Sequence, residues 1–142
     1  MVLGAPAWLG ACTGGAAYDD AVRELWRLGD VNRSDAAAVR RELVRCATLA
    51  PSSHNTQCWK FAVEAQAITI APDLARRCPA VDPDDHHVFV SLGCAAENLA
   101  QAALAHGLRA NAVFDAGRSA LRVGLEPTTA ASSPLYQAIV LE

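Results

Sequence analysis

Lysine is almost absent from this 142-residue chain: Lys60 is the only one, and arginine carries nearly all of the positive charge. The net charge is −3 at pH 7. A chain without a basic excess has no electrostatic attraction for a phosphate backbone, so we expect no nucleic-acid binding. Charged residues make up only 19% and hydrophobic residues 52%, which excludes an intrinsically disordered chain and predicts a globular one.

Cysteine pairs of the C-x-x-C type are also missing, which excludes a zinc ribbon and a thioredoxin-type motif. The five cysteines are an odd number, and Cys46 and Cys94 fall on apolar faces of predicted helices, where a thiol acts as a small hydrophobe. We therefore predict no disulfide framework. No apolar stretch reads as long enough to span a bilayer, so no transmembrane segment is predicted.

An apolar leader or signal remnant is predicted at residues 1–16, where Leu9-Gly10-Ala11-Cys12 has the pattern of a bacterial lipoprotein cleavage site. A working signal needs a basic n-region, and no Lys or Arg precedes Arg23. The segment as it stands is therefore not expected to direct export, and a cytoplasmic protein is predicted. The alternative is a membrane-anchored lipoprotein, if Cys12 belongs to a truncated signal.

Hydrophobic periodicity predicts an α+β fold, in which an antiparallel sheet packs on a long central helix. The long helix is expected over residues 83–106, opened by Asp82 and Pro83 and ended by Gly107. The other expected elements are helices at 17–28, 35–50 (with Ser34 as the N-cap) and 135–141, and hairpins at 59–70 and 109–125. The positions expected to be buried on the long helix are Val88, Leu92, Ala95, Leu99 and Ala102.

Residues 51–57, P-S-S-H-N-T-Q, form a dense array of hydrogen-bonding groups between a helix end and a strand. Such a loop could bind the polar edge of a planar heterocycle, with Pro51 as a flat apolar surface. It could equally be a polar loop whose side chains cap backbone groups. The residues alone leave both interpretations open.

Two motifs resemble a known family. Residues 50–61, A-P-S-S-H-N-T-Q-C-W-K-F, resemble the A-P-S-S-x-N-x-Q-P-W-x-F signature of nitroreductase-like flavoproteins. Residues 91–99, S-L-G-C-A-A-E-N-L, are similar to the pattern of that family's long central helix. With D-P-D-D-H-H at 82–87, the chain most resembles the Acg-type branch, in which one polypeptide holds two nitroreductase-like halves.

The resemblance implies that residues 17–142 are the amino-terminal nitroreductase-like half-domain, and therefore an incomplete fold that works with a second half-domain or a homodimer partner. It also implies that the loop lies against FMN. The positions carried over as cofactor contacts are Pro51, Ser52, Ser53, Asn55 and Gln57. Cys58 stands where the family has proline.

The implied reaction is transfer of a hydride from NAD(P)H through FMN to a nitroaromatic or quinone-like acceptor. Because the cofactor performs this chemistry, no catalytic side chain is predicted. The FMN phosphate requires cations, and Arg33, or Arg23 with Arg27, are the nearest analogues of the family's basic segment. Alternatives are a non-enzymatic flavin-binding, flavin-sequestering or structural relative, and an inactive gene fragment.

Two further clusters are interpreted as structural. His86 and His87 are adjacent, and neighbouring residues on a helix point about 100° apart, so no metal site is predicted there. Cys58 and His54 could be pictured as a nucleophile and its base, but nothing in the sequence specifies an orienting group or an oxyanion site. A structural cysteine is therefore the preferred interpretation of Cys58.

Overall fold

The computed structural model describes residues 15–141. Nearly all of the predicted leader, including Cys12, lies outside these residues. Four α-helices, two short 3-10 helices (Ser53–Asn55 and Leu74–Arg76) and four strands occur between Gly15 and Leu141. The helices are α1 (Gly15–Leu25), α2 (Ala36–Thr48), α3 (His86–Ala105) and α4 (Pro134–Ala138). The strands are β1 (Trp59–Val63), β2 (Ala67–Pro72), β3 (Leu108–Asp115) and β4 (Ala120–Pro127).

The four strands form one antiparallel sheet in the order β1-β2-β4-β3. Phe61, Ile70, Leu121 and Phe114 are successive cross-strand partners and therefore lie on one face. This apolar face packs against α3, and α2 packs on α3 in turn. The α+β class and the antiparallel sheet on a long helix are thus confirmed.

The buried face of α3 follows the predicted spacing. Val88, Leu92, Ala95, Leu99 and Ala102 are all buried, because residues three and four apart share one face of a helix. The following residue, Gly107, has φ +79° and ends the helix in the left-handed conformation that glycine tolerates best. The helix is 20 residues long, or roughly 30 Å at 1.5 Å per residue.

The predicted start of α3 at Pro83 is wrong by three residues. Asp82 does cap the helix, since its Oδ2 accepts the N–H groups of His87 at 2.9 Å and Val88 at 3.3 Å. It does so across an intervening turn, in which Asp85 takes a φ of 57°. The left-handed Asp85 interrupts helical geometry, so regular helix begins only at the next residue.

Smaller differences concern α1 and α2. Asp35, not Ser34, is the N-cap of α2, since its Oδ1 accepts the N–H groups of residues 37 and 38, whereas Ser34 Oγ donates to the Asn32 side chain. Helix α1 ends at Leu25, three residues earlier than predicted, and none of its residues is buried.

By length and composition α3 could cross a membrane, which the sequence-based prediction did not anticipate. Half of the residues in its most apolar 18-residue segment are buried inside this domain. A core helix of a domain meets the same two criteria, so this feature is weak evidence for a membrane span.

Candidate functional site

A groove of about 780 Å³ opens beside the 51–57 loop. Four parts of the chain meet there: the end of α1, the end of α2 with the loop, one face of α3, and α4 with the residues after it. Its lining consists of Leu25, Trp26, Thr48, Leu49, Ala50, Pro51, Asn55, Gln57, Glu97, Asn98, Gln101, Leu135, Ala138, Ile139 and Leu141. Apolar side chains and primary amides thus face one space.

Three of the five predicted contact residues line this groove, namely Pro51, Asn55 and Gln57. The side chains of Asn55 and Gln57 bond to no other described residue, so both amides are free to bind a ligand. Ser52 and Ser53 are not part of the lining. They form hydrogen bonds with the rest of the loop and with α3 instead.

The loop backbone is strained. His54, Asn55 and Gln57 have φ values of 53°, 53° and 48°, in the left-handed region. For residues with a Cβ this conformation costs roughly 1–2 kcal/mol each, somewhat less for asparagine. Such residues persist where the surrounding structure holds them, and they cluster at binding and catalytic sites.

Hydrogen bonds within the loop and to α3 hold this conformation. Ser52 Oγ accepts the N–H of Gln57 at 3.0 Å, which bridges the strained turn. The N–H of Ser53 donates to Ser91 Oγ on α3 at 3.2 Å, and Thr56 Oγ1 donates to Ser53 O at 3.0 Å. The two serines of the motif therefore determine where the neighbouring amides lie.

A second segment supports the far end of the loop. Arg76 Nη1 donates to Thr56 O at 3.3 Å, and the N–H of Asp73 donates to Cys58 O at 2.9 Å. Cys58 itself is completely buried in the core, which agrees with its structural interpretation, while His54 is exposed. The loop is therefore fastened on both sides.

The α3 wall of the groove carries residues that the sequence did not assign. Asn98 Nδ2 donates to Cys46 O at 3.2 Å, which ties the amide to α2. Gln101 Nε2 donates to Glu97 Oε1 at 2.6 Å, and Ser133 Oγ donates to Gln101 Oε1 at 2.7 Å. The spacing of Glu97 and Gln101, four residues apart on one helix, is the signal that could have revealed this wall.

Glu97 is the only charged side chain among the described residues that line the groove. The arginines expected to bind a phosphate lie elsewhere. Arg33 Nη2 donates to the backbone carbonyl of Ala105 at 3.2 Å, and Arg23 forms an exposed ion pair of 3.0 Å with Asp20. Arg27 does not line the groove either.

Behind the groove, Cys46 is an inert thiol, because burial raises its pKa to about 11. Burial alone would also raise the pKa of Glu42, but the hydrogen bond and the positive charge of Arg45 outweigh it, so the pKa of Glu42 is lowered. The Glu42 carboxyl is therefore a charged structural group. Among the described residues that line the groove, no reactive nucleophile lies beside a general base.

No group of three or more metal-ligating side chains occurs within residues 15–141. His86 and His87 are both exposed, with their rings 6.1 Å apart. The groove, by contrast, combines apolar surface with several amides, and this suits a planar molecule that has a polar edge. Comparison with protein-family models and with curated proteins found no significant match to this chain.

Proposed function

We propose that this chain is part of an FMN-dependent oxidoreductase of the nitroreductase type, which uses NAD(P)H to reduce nitroaromatic or quinone-like acceptors. The observation that carries the proposal is the meeting of Pro51, Asn55 and Gln57 of the motif with the amides of Asn98 and Gln101 in one groove. A loop that only capped backbone groups would use its side-chain amides for that purpose, whereas those of Asn55 and Gln57 bond to no other described residue.

The chemistry of the groove suits the ring system of a flavin. That ring has an apolar dimethylbenzene edge and a polar edge with carbonyl acceptors and one N–H donor. Trp26, Leu135 and Ile139 offer apolar contact, while the amides of Asn55 and Gln57 can each donate and accept. These residues would bind the ring, orient it and exclude water from one side of it. Bound flavin would supply the hydride chemistry.

The groove is open, so a ring lying in it would keep one side uncovered by described residues. A second half-domain or a second copy of this chain is the partner we propose for that side. The nitroreductase-like assignment of the fold, as one half of a shared site, is part of the same proposal, and so is a cytoplasmic location.

A second candidate is a non-enzymatic protein that binds or sequesters flavin. The observation that favours it is the absence of any cation among the described lining residues, which leaves no group there to hold a phosphate dianion. Both candidate functions use the same groove, but only the enzyme would oxidise NAD(P)H. One set of measurements therefore distinguishes them.

The test is a titration of the purified full chain with FMN, followed by fluorescence quenching, with the oligomeric state measured by size-exclusion chromatography. Asn55→Gly removes an amide without imposing backbone strain, and we expect it to weaken binding about 2–10-fold, the value of one hydrogen bond. His54→Gly is the matched control, because His54 shares the left-handed backbone and does not line the groove.

A folded chain that does not bind FMN would overturn the proposal, and so would equal losses of affinity in the two variants. Oxidation of NAD(P)H in the presence of a quinone or nitroaromatic acceptor identifies the enzyme. Binding without turnover, in both monomeric and dimeric fractions, identifies the sequestering protein.

A further inference from the structure

The charge of the groove is at odds with one part of FMN. The ring and ribityl chain are uncharged near neutral pH, whereas the terminal phosphate carries about −1.5 to −2 charges. Protein sites for phosphate supply arginine, lysine or the N-terminus of a helix. The described lining of this groove supplies a single charge, the carboxylate of Glu97, and its sign is negative.

Three arginines in neighbouring segments are engaged elsewhere, and a fourth, Arg27, does not line the groove. Arg45 is paired with Glu42 at 2.6 Å, Arg23 with Asp20, and Arg76 donates to the backbone of Thr56. Residues 1–14 lie outside the described structure, and their sequence contains no Lys, Arg or His. No basic side chain from that segment could therefore complete a phosphate site.

Glu97 is held on the groove wall by Gln101, whose Nε2 donates to Glu97 Oε1 at 2.6 Å. Its second carboxylate oxygen, Oε2, makes no hydrogen bond with another described residue. An oxygen of this kind can accept a ring N–H or a ribityl hydroxyl, and both occur in the uncharged part of a flavin. The same carboxylate repels a phosphate dianion.

We infer that this groove selects an uncharged flavin, riboflavin or its ring system, over the phosphorylated form. The inference rests on the proposed flavin site and concerns only which flavin this chain takes. Coulomb's law for an assumed separation of about 7 Å disfavours a dianion beside one exposed carboxylate roughly two- to eightfold, the lower value applying at physiological salt. A groove built for phosphate would favour FMN by on the order of 100-fold, through several charge-assisted hydrogen bonds.

The experiment compares riboflavin with FMN on the full chain by fluorescence quenching, first at low and then at high salt. Both ligands carry the same chromophore, so the signals are directly comparable. We expect riboflavin to bind up to about eightfold more tightly at low salt and about twofold more tightly at physiological salt, with the difference disappearing at 0.5 M salt because the repulsion is screened. The salt series needs no variant.

Glu97→Gln keeps the size and the contact with Gln101 while removing the charge. The amide NH2 that takes the place of Oε2 cannot accept a flavin N–H, so both flavins lose that contact alike, while the affinity for FMN relative to that for riboflavin is expected to rise about two- to eightfold. Asp84→Asn is the control of equal charge change, since Asp84 is exposed in the turn before α3 and does not line the groove. This control should change the affinity for neither riboflavin nor FMN.

The possible results distinguish this inference from the proposed flavin site on which it rests. FMN binding tenfold tighter than riboflavin overturns the inference and leaves the FMN site standing. Failure of both ligands to bind a folded chain removes the flavin site itself. If Glu97→Gln changes both affinities equally, Glu97 acts through the shape of the wall, and selection by charge is wrong.

Discussion

Arg45 and Glu42 form a buried ion pair one turn apart on α2, with Arg45 Nη2 2.6 Å from Glu42 Oε1. Their side chains are only 12% and 5% exposed. Arg45 also donates to the backbone carbonyls of Leu25 and Arg27, and Glu42 Oε1 accepts the N–H of Gly29 at 3.1 Å. The pair thus fastens the segment that follows α1, and this segment forms one wall of the groove.

Replacing Arg45 with methionine tests this role. Arg45→Met leaves the buried Glu42 carboxylate without its cation, so we expect a loss of about 3–5 kcal/mol in the free energy of unfolding. Urea denaturation measures it. Arg41→Met is the control on the same helix, because Arg41 is exposed, and it should change stability by less than about 0.5 kcal/mol. Similar losses in the two variants would mean that the pair does not anchor the segment.

A pair of glycine variants tests how closely the segment approaches Glu42. A Cβ at Gly29 would lie 2.5 Å from Glu42 Oε1, inside van der Waals contact, and the carboxylate is locked by Arg45. We expect Gly29→Ala to lower the free energy of unfolding by about 1–3 kcal/mol.

Gly93→Ala is the control, because its expected change in stability has the opposite sign to that of Gly29→Ala. Gly93 lies within α3, and a Cβ there would meet nothing within 4 Å. Alanine is the better helix former, so a gain of about 0.5–1 kcal/mol is expected. Thermal and urea unfolding of both variants show which one loses and which one gains free energy of unfolding. A stabilised Gly29→Ala would contradict the close packing at Glu42.

The course of α3 could be predicted because the residues at its 4-3-4-3 apolar spacing are buried along the whole helix. Its first residue could not. Asp82 followed by Pro83 has the form of a helix start, yet Asp85 is left-handed and pairs with Arg77 at 3.2 Å. That ion pair joins the turn to a different loop, a tertiary contact that no local pattern contains.

The same distinction applies to the groove. Pro51, Asn55 and Gln57 could be named because they belong to one short motif in a single loop. The wall formed by Trp26 could not be named, since its position depends on the Glu42–Arg45 pair. In sequence that pair looks like an ordinary surface pair three residues apart on a helix. Only the packing of α2 shows that it is buried.

His106 makes stability depend on pH. Its ring is buried against Tyr136, with centroids 6.3 Å apart, and neither ring nitrogen has a hydrogen-bond partner in the described part of the chain. Burial lowers its pKa below the ordinary value of 6.5; Arg33 and Arg45 add to this effect, while the acidic groups of Glu42 and Asp30 oppose it. The unfolded chain therefore binds a proton more readily than the folded one.

It follows that the contribution of neutral His106 to stability is complete above about pH 6.5 and declines as the pH falls below that value. We expect the urea midpoint to decrease between pH 7.5 and pH 5.5. His106→Phe keeps an aromatic ring against Tyr136 and should remove most of that decrease. An unchanged pH dependence in His106→Phe would assign the effect to other groups.

The strained loop predicts that stability and binding change in opposite directions at Gln57. Gln57→Gly relieves a left-handed backbone at φ 48° and removes a lining amide, so we expect equal or higher stability, by up to about 1 kcal/mol, with weaker flavin binding. Ser119→Gly is the control, because Ser119 has the same φ in the turn between β3 and β4, away from the groove. It should gain comparable stability without altering flavin affinity. Parallel urea and flavin titrations decide the matter, since a Gln57→Gly variant that binds flavin normally would show that the strain serves no binding role.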